Sequence, residues 1–244
     1  MPGAKPYSED QLIAMLSTRS MRYYAGSACR NRALFAIALS CGCRVSELVA
    51  IRRNDLLDEY GRIRSDLRIW QSKQKKYRVV PVANPLVFRF LPEHLEQQDR
   101  LGYFRKDDWL FPGRNGKHLS VRTVNRIYGA AHRELRLTGY SSHSTRKTWA
   151  VQIYTKIVEE NRRGRIAADP FEKLCQLGGW ESYDAARRYI ADAVDNRRAV
   201  QEAIYPRLNA FLDRVSDSLS SEPNEKNSQE RIHLNTINAD GDQS

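Results

Sequence analysis

The stretch RNRALFAIALSCGCRVSELVAIRRNDLL, residues 30–57, joins an apolar run to an amphipathic one. Its first half is apolar at most positions through Leu39, which is typical of a helix buried at the centre of a domain. Gly42 follows and is expected to end that helix. Residues 44–57 then repeat apolar positions at helical spacing, which predicts one shorter amphipathic helix. The stretch therefore predicts a helical domain built around its apolar half.

The rest of the chain supplies elements that can pack around this helix. Ser8 and Gln11 form a capping-box pattern ahead of an apolar stripe, so a helix is predicted to begin there. Residues 61–70 and 77–83 favour two short strands on either side of the polar turn QSKQKK. Helical spacing then returns, and Ser120 is expected to cap a later helix. The predicted fold class is mainly α with a small antiparallel β-sheet, an α+β fold.

Composition limits the classes of protein to which the chain can belong. The 244 residues, 41% of them hydrophobic, can form one domain with a substantial core. No apolar run approaches the ~18 residues of a membrane span, and the N-terminal residues MPGAKPYSEDQ lack the apolar region of a secretory signal. The four cysteines show no metal-binding spacing and are expected to be reduced and packed as small hydrophobic residues: Cys29, Cys41, Cys43 and Cys175. These features predict a cytoplasmic protein with no membrane partner, no metal and no cofactor.

Net charge is the strongest global signal in the sequence. The formal charge is +11, and the sequence pI is about 9.6. Residues 220–244 contain five acidic and two basic residues, so residues 1–219 carry a net +14. A folded body this basic favours a polyanion as partner, and nucleic acid is the usual one.

Six residues stand out in four phrases, CGCRVSELVAI, WQSKQKKYRVVPV, HSTR and LGGWESYDAARRYI. His143 and Arg146 lie one helical turn apart, so both side chains can face the same way. Each phrase alone is common in unrelated proteins, but their joint occurrence in one order on fitting secondary structure is specific. The candidate site residues are Arg44, Lys73, His143, Arg146, Trp180 and Tyr189.

In these phrases the chain resembles the catalytic domain of the tyrosine recombinases, also called the phage integrase family. GCRVSELVAIRRNDL resembles the box of the first catalytic arginine, and SKQKKYRVVP resembles the hairpin whose turn carries the catalytic lysine, with Pro81 eight residues after Lys73. HSTR matches the His-x-x-Arg box, and LGGW is followed nine residues later by Tyr189. The resemblance covers roughly residues 8–205. It implies a catalytic domain over residues 1–215 without a separate N-terminal core-binding domain, and a disordered polar tail over residues 216–244.

The resemblance implies phosphoryl transfer that needs neither metal nor ATP. Tyr189 would attack a DNA phosphodiester and become joined to the 3′ phosphate. Arg44 and Arg146 would clamp the charge on the non-bridging oxygens. Lys73 would protonate the departing 5′ oxygen, and His143 would assist proton transfer or hold the phosphate.

Trp180 stands where most family members have a histidine, as it does in the Cre-type recombinases. Its indole N–H can donate to a phosphate but cannot carry a proton between groups. On one continuous helix, Trp180 and Tyr189 would lie on opposite faces because each residue advances ~100°. We therefore expect the helix to break between them, with Ser182 or Asp184 capping a new helix that carries Tyr189.

Three assignments remain open in the sequence. Lys75 could replace Lys73 as the catalytic lysine, since only the spacing to Pro81 separates them. Tyr183 is the nearest competitor of Tyr189, whose claim rests on the nine-residue spacing. Glu47 could orient an arginine of the site or form a salt bridge with no effect on rate.

Two segments fall outside the family pattern or its catalytic core. The insertion VEENRRGRIAADP, residues 158–170, carries three arginines that could contact phosphate or form a solvated loop: Arg162, Arg163 and Arg165. The segment after Tyr189 has apolar residues at helical spacing that could dock on a neighbouring copy or pack on their own domain: Val200, Ile204, Leu208, Phe211 and Leu212.

The function that this resemblance implies is site-specific DNA recombination, in integration and excision, plasmid resolution or inversion. The implied partners are double-stranded DNA, further copies of the chain in a tetramer, and an accessory protein or partner recombinase. Relaxation of DNA by the same chemistry, in the manner of type IB topoisomerases, is a second enzymatic reading. A DNA-binding accessory or regulatory protein with a vestigial recombinase site is the alternative from another class.

Overall fold

The computed structural model describes residues 4–22, 27–71, 74–82, 84–103, 105–114, 116–195 and 214, with the backbone alone for residues 191–195. The chain divides into two units, Met1–Ile204 and Tyr205–Ser244, and only Arg214 of the second is described. The elements in the described residues are α1 (Glu9–Ser17), α2 (Arg19–Arg22), α3 (Ala28–Cys41), α4 (Val45–Val49), α5 (Arg53–Leu56), β1 (Asp66–Gln71), β2 (Lys76–Pro81), α6 (Pro85–Arg100), α7 (Val121–Glu134), α8 (Ser144–Arg162), α9 (Pro170–Gly178) and α10 (Tyr183–Asp195). The predicted fold class, mainly α with a small antiparallel sheet, is confirmed.

Helix α3 is the centre of the core, as its apolar sequence predicts. It is buried on almost every side from Ala33 to Cys41 and packs against α6 and α8. It ends at Gly42, which adopts a left-handed conformation with φ of +58°. A Cβ at Gly42 would lie 2.3 Å from the Trp149 ring of α8, so only glycine allows this approach. The turn thus holds the end of α3 against the start of α8.

The single helix predicted over residues 44–57 is wrong, because the structure forms two short helices, α4 and α5, with a break at residues 50–52. In the break, the Ile51 carbonyl accepts a hydrogen bond from the Leu110 amide, and Arg52 pairs with Trp109 as a β-bridge. Arg52 is also the N-cap residue of α5, and its amide donates to the Asp55 carboxylate. The helix therefore breaks because this segment pairs with the loop before α7.

The two strands pair in antiparallel register and inward side chains alternate along them. Leu67, Ile69 and Val80 face the core, as the alternation predicts. Near the turn the alternation continues but the residue types are exchanged, because the polar Gln71 and Arg78 are buried while the aromatic pair Trp70 and Tyr77 is exposed. The inner face of the hairpin is therefore polar next to the turn, and this polarity has a role in the site described below.

Other expected features are also present. Ser8 and Gln11 form the predicted capping box of α1, and Ser120 caps α7 through the Thr123 amide. All four cysteines are buried and free of disulfides. Within the described ranges, no helix combines the length and apolar character needed to cross a bilayer. The apolar positions noted after residue 195 lie outside the described residues.

Candidate active site

The first turn of α8 brings His143 and Arg146 toward one point. His143 is the N-cap residue of the helix, and its Nε2 lies 2.8 Å from the hydroxyl oxygen of Tyr189. Arg146 is fully buried, and its guanidinium carbon lies 4.3 Å from the centre of the Trp180 ring and 5.6 Å from that of Tyr189. The two residues of the His-x-x-Arg box thus face the same tyrosine.

Two helix ends hold the guanidinium of Arg146. Nη1 donates to the carbonyl of Gly42, directly after α3, and Nη2 donates to the carbonyl of Gly178, the last residue of α9, at 2.7 Å. Carbonyls at helix C-termini lack intrahelical partners and carry partial negative charge, so they suit a buried cation. These contacts fix the guanidinium before any ligand arrives.

Arg44 lies at the start of α4, two residues after the glycine that ends α3. The Glu47 carboxylate accepts from both its backbone amide, at 2.9 Å, and its Nη1, at 2.7 Å. The Arg44 side chain remains 38% exposed, whereas that of Glu47 is 5% exposed. Glu47 therefore directs the arginine, and the outer part of the guanidinium stays open to a ligand.

The helix breaks between Trp180 and Tyr189, as their spacing predicts. Helix α9 ends at Gly178 and is capped by Gly179, which has φ of +65°, and α10 begins at Tyr183. The Ser182 hydroxyl accepts a hydrogen bond from the Ala185 amide at 3.2 Å and so caps α10. The rings of Trp180 and Tyr189 are consequently brought to 4.7 Å, on the same side of the molecule.

These side chains border an open pocket of about 360 Å³. Its described lining includes four of the six candidate residues, Arg44, His143, Trp180 and Tyr189. The indole Nε1 of Trp180 is buried and has no hydrogen-bond partner among the described residues. An unsatisfied buried donor beside such a pocket fits an oxygen-rich ligand.

Burial and neighbouring charges set the protonation of the site. Burial first, and then the Arg146 and Arg44 cations, lower the pKa of His143 from 6.5 to about 4. His143 is therefore neutral at pH 7. Burial, Arg44 and Arg78 lower the pKa of Arg146 to about 10, so that guanidinium stays charged. Burial alone would raise the pKa of Glu47, but Arg78 and Arg44 outweigh it and keep that pKa below its ordinary value.

The open assignments are placed as follows. Lys73 lies outside the described residues, and Lys75 is exposed with φ of +49°, so the choice between them stays a prediction. Tyr183 is 54% exposed and does not line the pocket, whereas Tyr189 does. Arg163 and Arg165 of the insertion pair with acidic residues at the end of α8.

The sequence reasoning missed three basic residues close to the site. Lys147 and Arg188 line the pocket, next in sequence to Arg146 and Tyr189 respectively. Their positions beside the two boxes were the available signal. Arg78 is buried in β2, where it donates to the Glu47 carboxylate. Its inward position in β2 was the available signal, but its partners lie far away in the sequence and could not be identified from it.

Residues 7–195 match the model of the phage integrase family. The tyrosine recombinase XerC of Chlamydia pneumoniae is 29% identical over 203 residues, which cover 82% of this chain and 59% of that protein. XerC of Chlamydia muridarum is 30% identical over 146 residues, which cover 59% of this chain and 44% of that protein. The chain thus spans about half the length of these relatives.

Solved structures share the fold at lower identity. The XerH site-specific recombinase in a post-cleavage complex with palindromic difH substrate aligns with a TM-score of 0.59 and 19% identity, covering 82% of this chain and 54% of that one. A lambda integrase (75–356) dimer bound to a COC′ core site aligns with a TM-score of 0.52 and 19% identity, covering 76% and 58%. These alignments confirm the fold expected from the resemblance.

Proposed function

The chain belongs to the phage integrase family, and on that basis we propose that it is a site-specific DNA recombinase that cleaves and rejoins strands through a 3′-phosphotyrosine at Tyr189. One observation carries the proposal. The Tyr189 hydroxyl is 2.8 Å from the Nε2 of a neutral histidine, His143, and lies beside a pocket bordered by the guanidinium of Arg44. A nucleophile, a base and a cation therefore face one space of suitable size.

We propose the following cleavage step from this arrangement and from Lys73, which the resemblance assigns with Lys75 as the alternative. As the Tyr189 oxygen forms a bond to phosphorus, its proton passes to Nε2 of His143. The bond from phosphorus to the 5′ oxygen breaks, and Lys73 donates a proton to that oxygen. Attack by the 5′ hydroxyl of another strand reverses each transfer and releases Tyr189. Since the phosphotyrosine preserves the phosphodiester energy, rejoining requires no ATP.

Two guanidiniums supply the positive charge that the transition state needs. Arg146 is held by carbonyls at two helix ends and Arg44 by Glu47, so neither must reorganise during the reaction. The exposed part of the Arg44 guanidinium can donate to a phosphate oxygen, whereas Arg146, which is fully buried and is not among the described lining of the pocket, contributes its positive charge from 5.6 Å behind the Tyr189 ring centre. We infer that this pair makes the reaction independent of added metal ions, which chelation by EDTA tests.

Trp180 supplies a further donor in this account. Its Nε1 is buried without a partner among the described residues, and Trp180 is one of the residues that line the pocket. We assign it to a non-bridging oxygen of the scissile phosphate. This donor would take the place of the histidine found in most of the family.

The proposed partner is double-stranded DNA in the cytoplasm. The net +14 of residues 1–219 supports it, and binding should weaken steeply with salt. We assign residues 1–215 to the catalytic domain and residues 216–244 to a polar tail. Recombination requires two duplexes and four active sites, so we propose a tetramer of this chain on DNA, with or without an accessory protein or partner recombinase.

Covalent capture tests the proposal without knowledge of the DNA site. Wild type, Tyr189→Phe and the control Tyr183→Phe are expressed, lysed under denaturing conditions and purified, and attached DNA is sequenced. We expect discrete attached sequences with wild type and with Tyr183→Phe, and none with Tyr189→Phe. A parallel reaction on the recovered site should proceed in EDTA. Sequence-specific DNA binding without any adduct from the wild type would instead support the regulatory reading with a vestigial site.

A further inference from the structure

Arg78 is a buried arginine that lies behind the pocket and does not line it. Its side chain is 3% exposed and extends from the inner face of β2. Nη1 donates to the carbonyl of Leu177 at 2.6 Å and to that of Cys41 at 3.3 Å, while Nη2 donates to Glu47 at 3.2 Å. One side chain thus joins the hairpin to α3, α4 and α9.

Arg78 and Arg146 bind consecutive carbonyls of the same two helix ends. At the end of α3, Arg78 donates to the carbonyl of Cys41 and Arg146 donates to the next carbonyl, that of Gly42. At the end of α9, Arg78 donates to the carbonyl of Leu177 and Arg146 again donates to the next carbonyl, that of Gly178. The two guanidiniums therefore bridge one gap between helices in parallel.

Two further side chains of the hairpin continue this series. The amide nitrogen of Gln71 donates to the carbonyl of Gly179 at 3.3 Å, and that of Gln74 donates to the same carbonyl at 3.1 Å. Three successive carbonyls before Trp180 are consequently fixed by side chains. This explains why the inner face of the hairpin is polar near its turn.

We infer that Arg78 is a positioning residue for phosphoryl transfer, which acts by holding the ends of α3 and α9 at the separation that Arg146 requires. The same guanidinium orients Glu47, and through it Arg44. The inference rests on the proposed function. Without Arg78, two helix-end carbonyls and the buried Glu47 carboxylate lose a shared partner, so both catalytic guanidiniums lose their fixed positions.

The test compares Arg78→Met, which keeps the length of the side chain, with Arg78→Lys, which keeps the charge but not the fork. Arg53→Met is the matched control. Arg53 is also buried, donates to the carbonyl of Tyr103 at 2.9 Å and pairs with Asp99, but it does not line the pocket. It therefore reports the effect of losing a buried arginine elsewhere in the same domain.

The substrate is a nicked duplex of the captured DNA site, in which cleavage releases a short fragment and traps the adduct. It is prepared with an ordinary scissile phosphate and with a methylphosphonate, in which a methyl group replaces one non-bridging oxygen. Because the methylphosphonate is neutral, its transition state carries less negative charge for the arginines to stabilise. Rate constants are measured in single turnover with enzyme in excess, so the ratio between the two substrates does not depend on the fraction of folded protein.

We expect Arg78→Met to slow cleavage of the ordinary phosphate about 100-fold, as the loss of a positioned donor does in other enzymes. On the methylphosphonate, the rate constant of Arg78→Met should be lower than that of the wild type by about tenfold or less. The difference should be smaller because the interaction that the variant lacks stabilises negative charge. Arg78→Lys should show the same pattern, since an ammonium cannot bridge both helix ends. Affinity for the duplex should change by less than about threefold, because phosphate contacts outside the site dominate binding.

The outcomes separate this inference from the proposed function. Arg53→Met should lower the rate constant by the same factor on both substrates. If Arg78→Met and Arg78→Lys do so as well, Arg78 is only structural and the inference is overturned. Wild-type rates for Arg78→Lys would also overturn it, because bridging would then be dispensable. If the wild type cleaves neither substrate, the proposed function fails, and the inference fails with it.

Discussion

The imidazole Nε2 of His143 lies 2.8 Å from the hydroxyl oxygen of Tyr189, although 46 residues separate the two in sequence. The contact depends on two local features, the start of α8 at His143 and the break that begins α10. Because the pKa of His143 is lowered to about 4, the imidazole is neutral and can accept the tyrosine proton at physiological pH.

The first prediction concerns the titration of His143 in the free protein. NMR of the imidazole protons should give a pKa of about 4 in the wild type, because burial and then the neighbouring arginines disfavour the cation. Arg44→Gln removes one of those positive charges and should raise this pKa toward 6.5. A wild-type midpoint near 6.5, or no rise in the variant, would contradict this electrostatic description.

The second prediction concerns acid stability and His94. His94 is buried, its Nε2 lies 2.8 Å from the carbonyl of Leu110, and burial lowers its pKa from 6.5 to about 4. His94 is then protonated below about pH 6.5 in the unfolded state but only below about pH 4 in the folded state. The free energy of unfolding therefore falls as the pH falls from 6.5 to 4. Between pH 7 and pH 5 this one group should cost about 2 kcal/mol.

Urea unfolding of wild type and His94→Gln at the two pH values measures this effect. The variant should be less stable at pH 7, but its loss between pH 7 and pH 5 should be about 2 kcal/mol smaller than that of the wild type. His132 and His143 also have lowered pKa values, mainly through burial, and should contribute to the remaining pH dependence. An equal loss in both proteins would show that His94 does not titrate in this way.

The third prediction uses two glycines in helices. A Cβ at Gly178 would lie 1.9 Å from the Trp180 ring, whereas the nearest atom to a Cβ at Gly129 is 3.5 Å away, on the side chain of Arg133. Gly178→Ala should therefore displace Trp180, lower stability by about 1–3 kcal/mol and slow cleavage. Gly129→Ala should raise stability by up to about 1 kcal/mol because alanine favours helix. Thermal unfolding of both variants checks the opposite signs, and stability gained by Gly178→Ala would be inconsistent with the packing of Trp180.

The fourth prediction separates two buried tryptophans. The indole Nε1 atoms of Trp180 and Trp149 both lack a partner among the described residues, but only Trp180 lines the pocket. Trp180→Phe should slow single-turnover cleavage about 100-fold through loss of a donor, and Trp180→His, which keeps an N–H, should recover most of that rate. Trp149→Phe should leave cleavage within about threefold, since its packing is nearly preserved. Equal effects at the two positions would argue against a phosphate contact by Trp180.

Local signals in the sequence predicted the elements that carry the site. Helical geometry predicted the break before Tyr189, with Ser182 or Asp184 as the cap, and the structure has the break with Ser182 as the cap. The prediction of a single helix over residues 44–57 was wrong, because the carbonyl of Ile51 accepts a hydrogen bond from the amide of Leu110, far along the chain. Periodicity within one segment contains no information about such a partner.

Arg78 shows the same limit for the site itself. Strand alternation places Arg78 on the inner face with Val80, where an apolar residue is the usual expectation. Its partners, the carbonyls of Cys41 and Leu177, come from helix ends 37 and 99 residues away. Every residue has a backbone carbonyl, so the residue types do not indicate which carbonyls accept from Arg78. These contacts could be identified only from the structure.

The most direct test of the central claim identifies the amino acid that is joined to DNA. Captured adducts are digested with nuclease and trypsin, and the peptide that carries a nucleotide remnant is sequenced by mass spectrometry. Cleavage after Arg188 places Tyr189 at the start of the peptide YIADAVDNR, while Tyr183 falls in LCQLGGWESYDAAR, so the two candidates are separated. The account predicts the remnant on Tyr189 alone. A remnant on Tyr183 or on any other residue would contradict it.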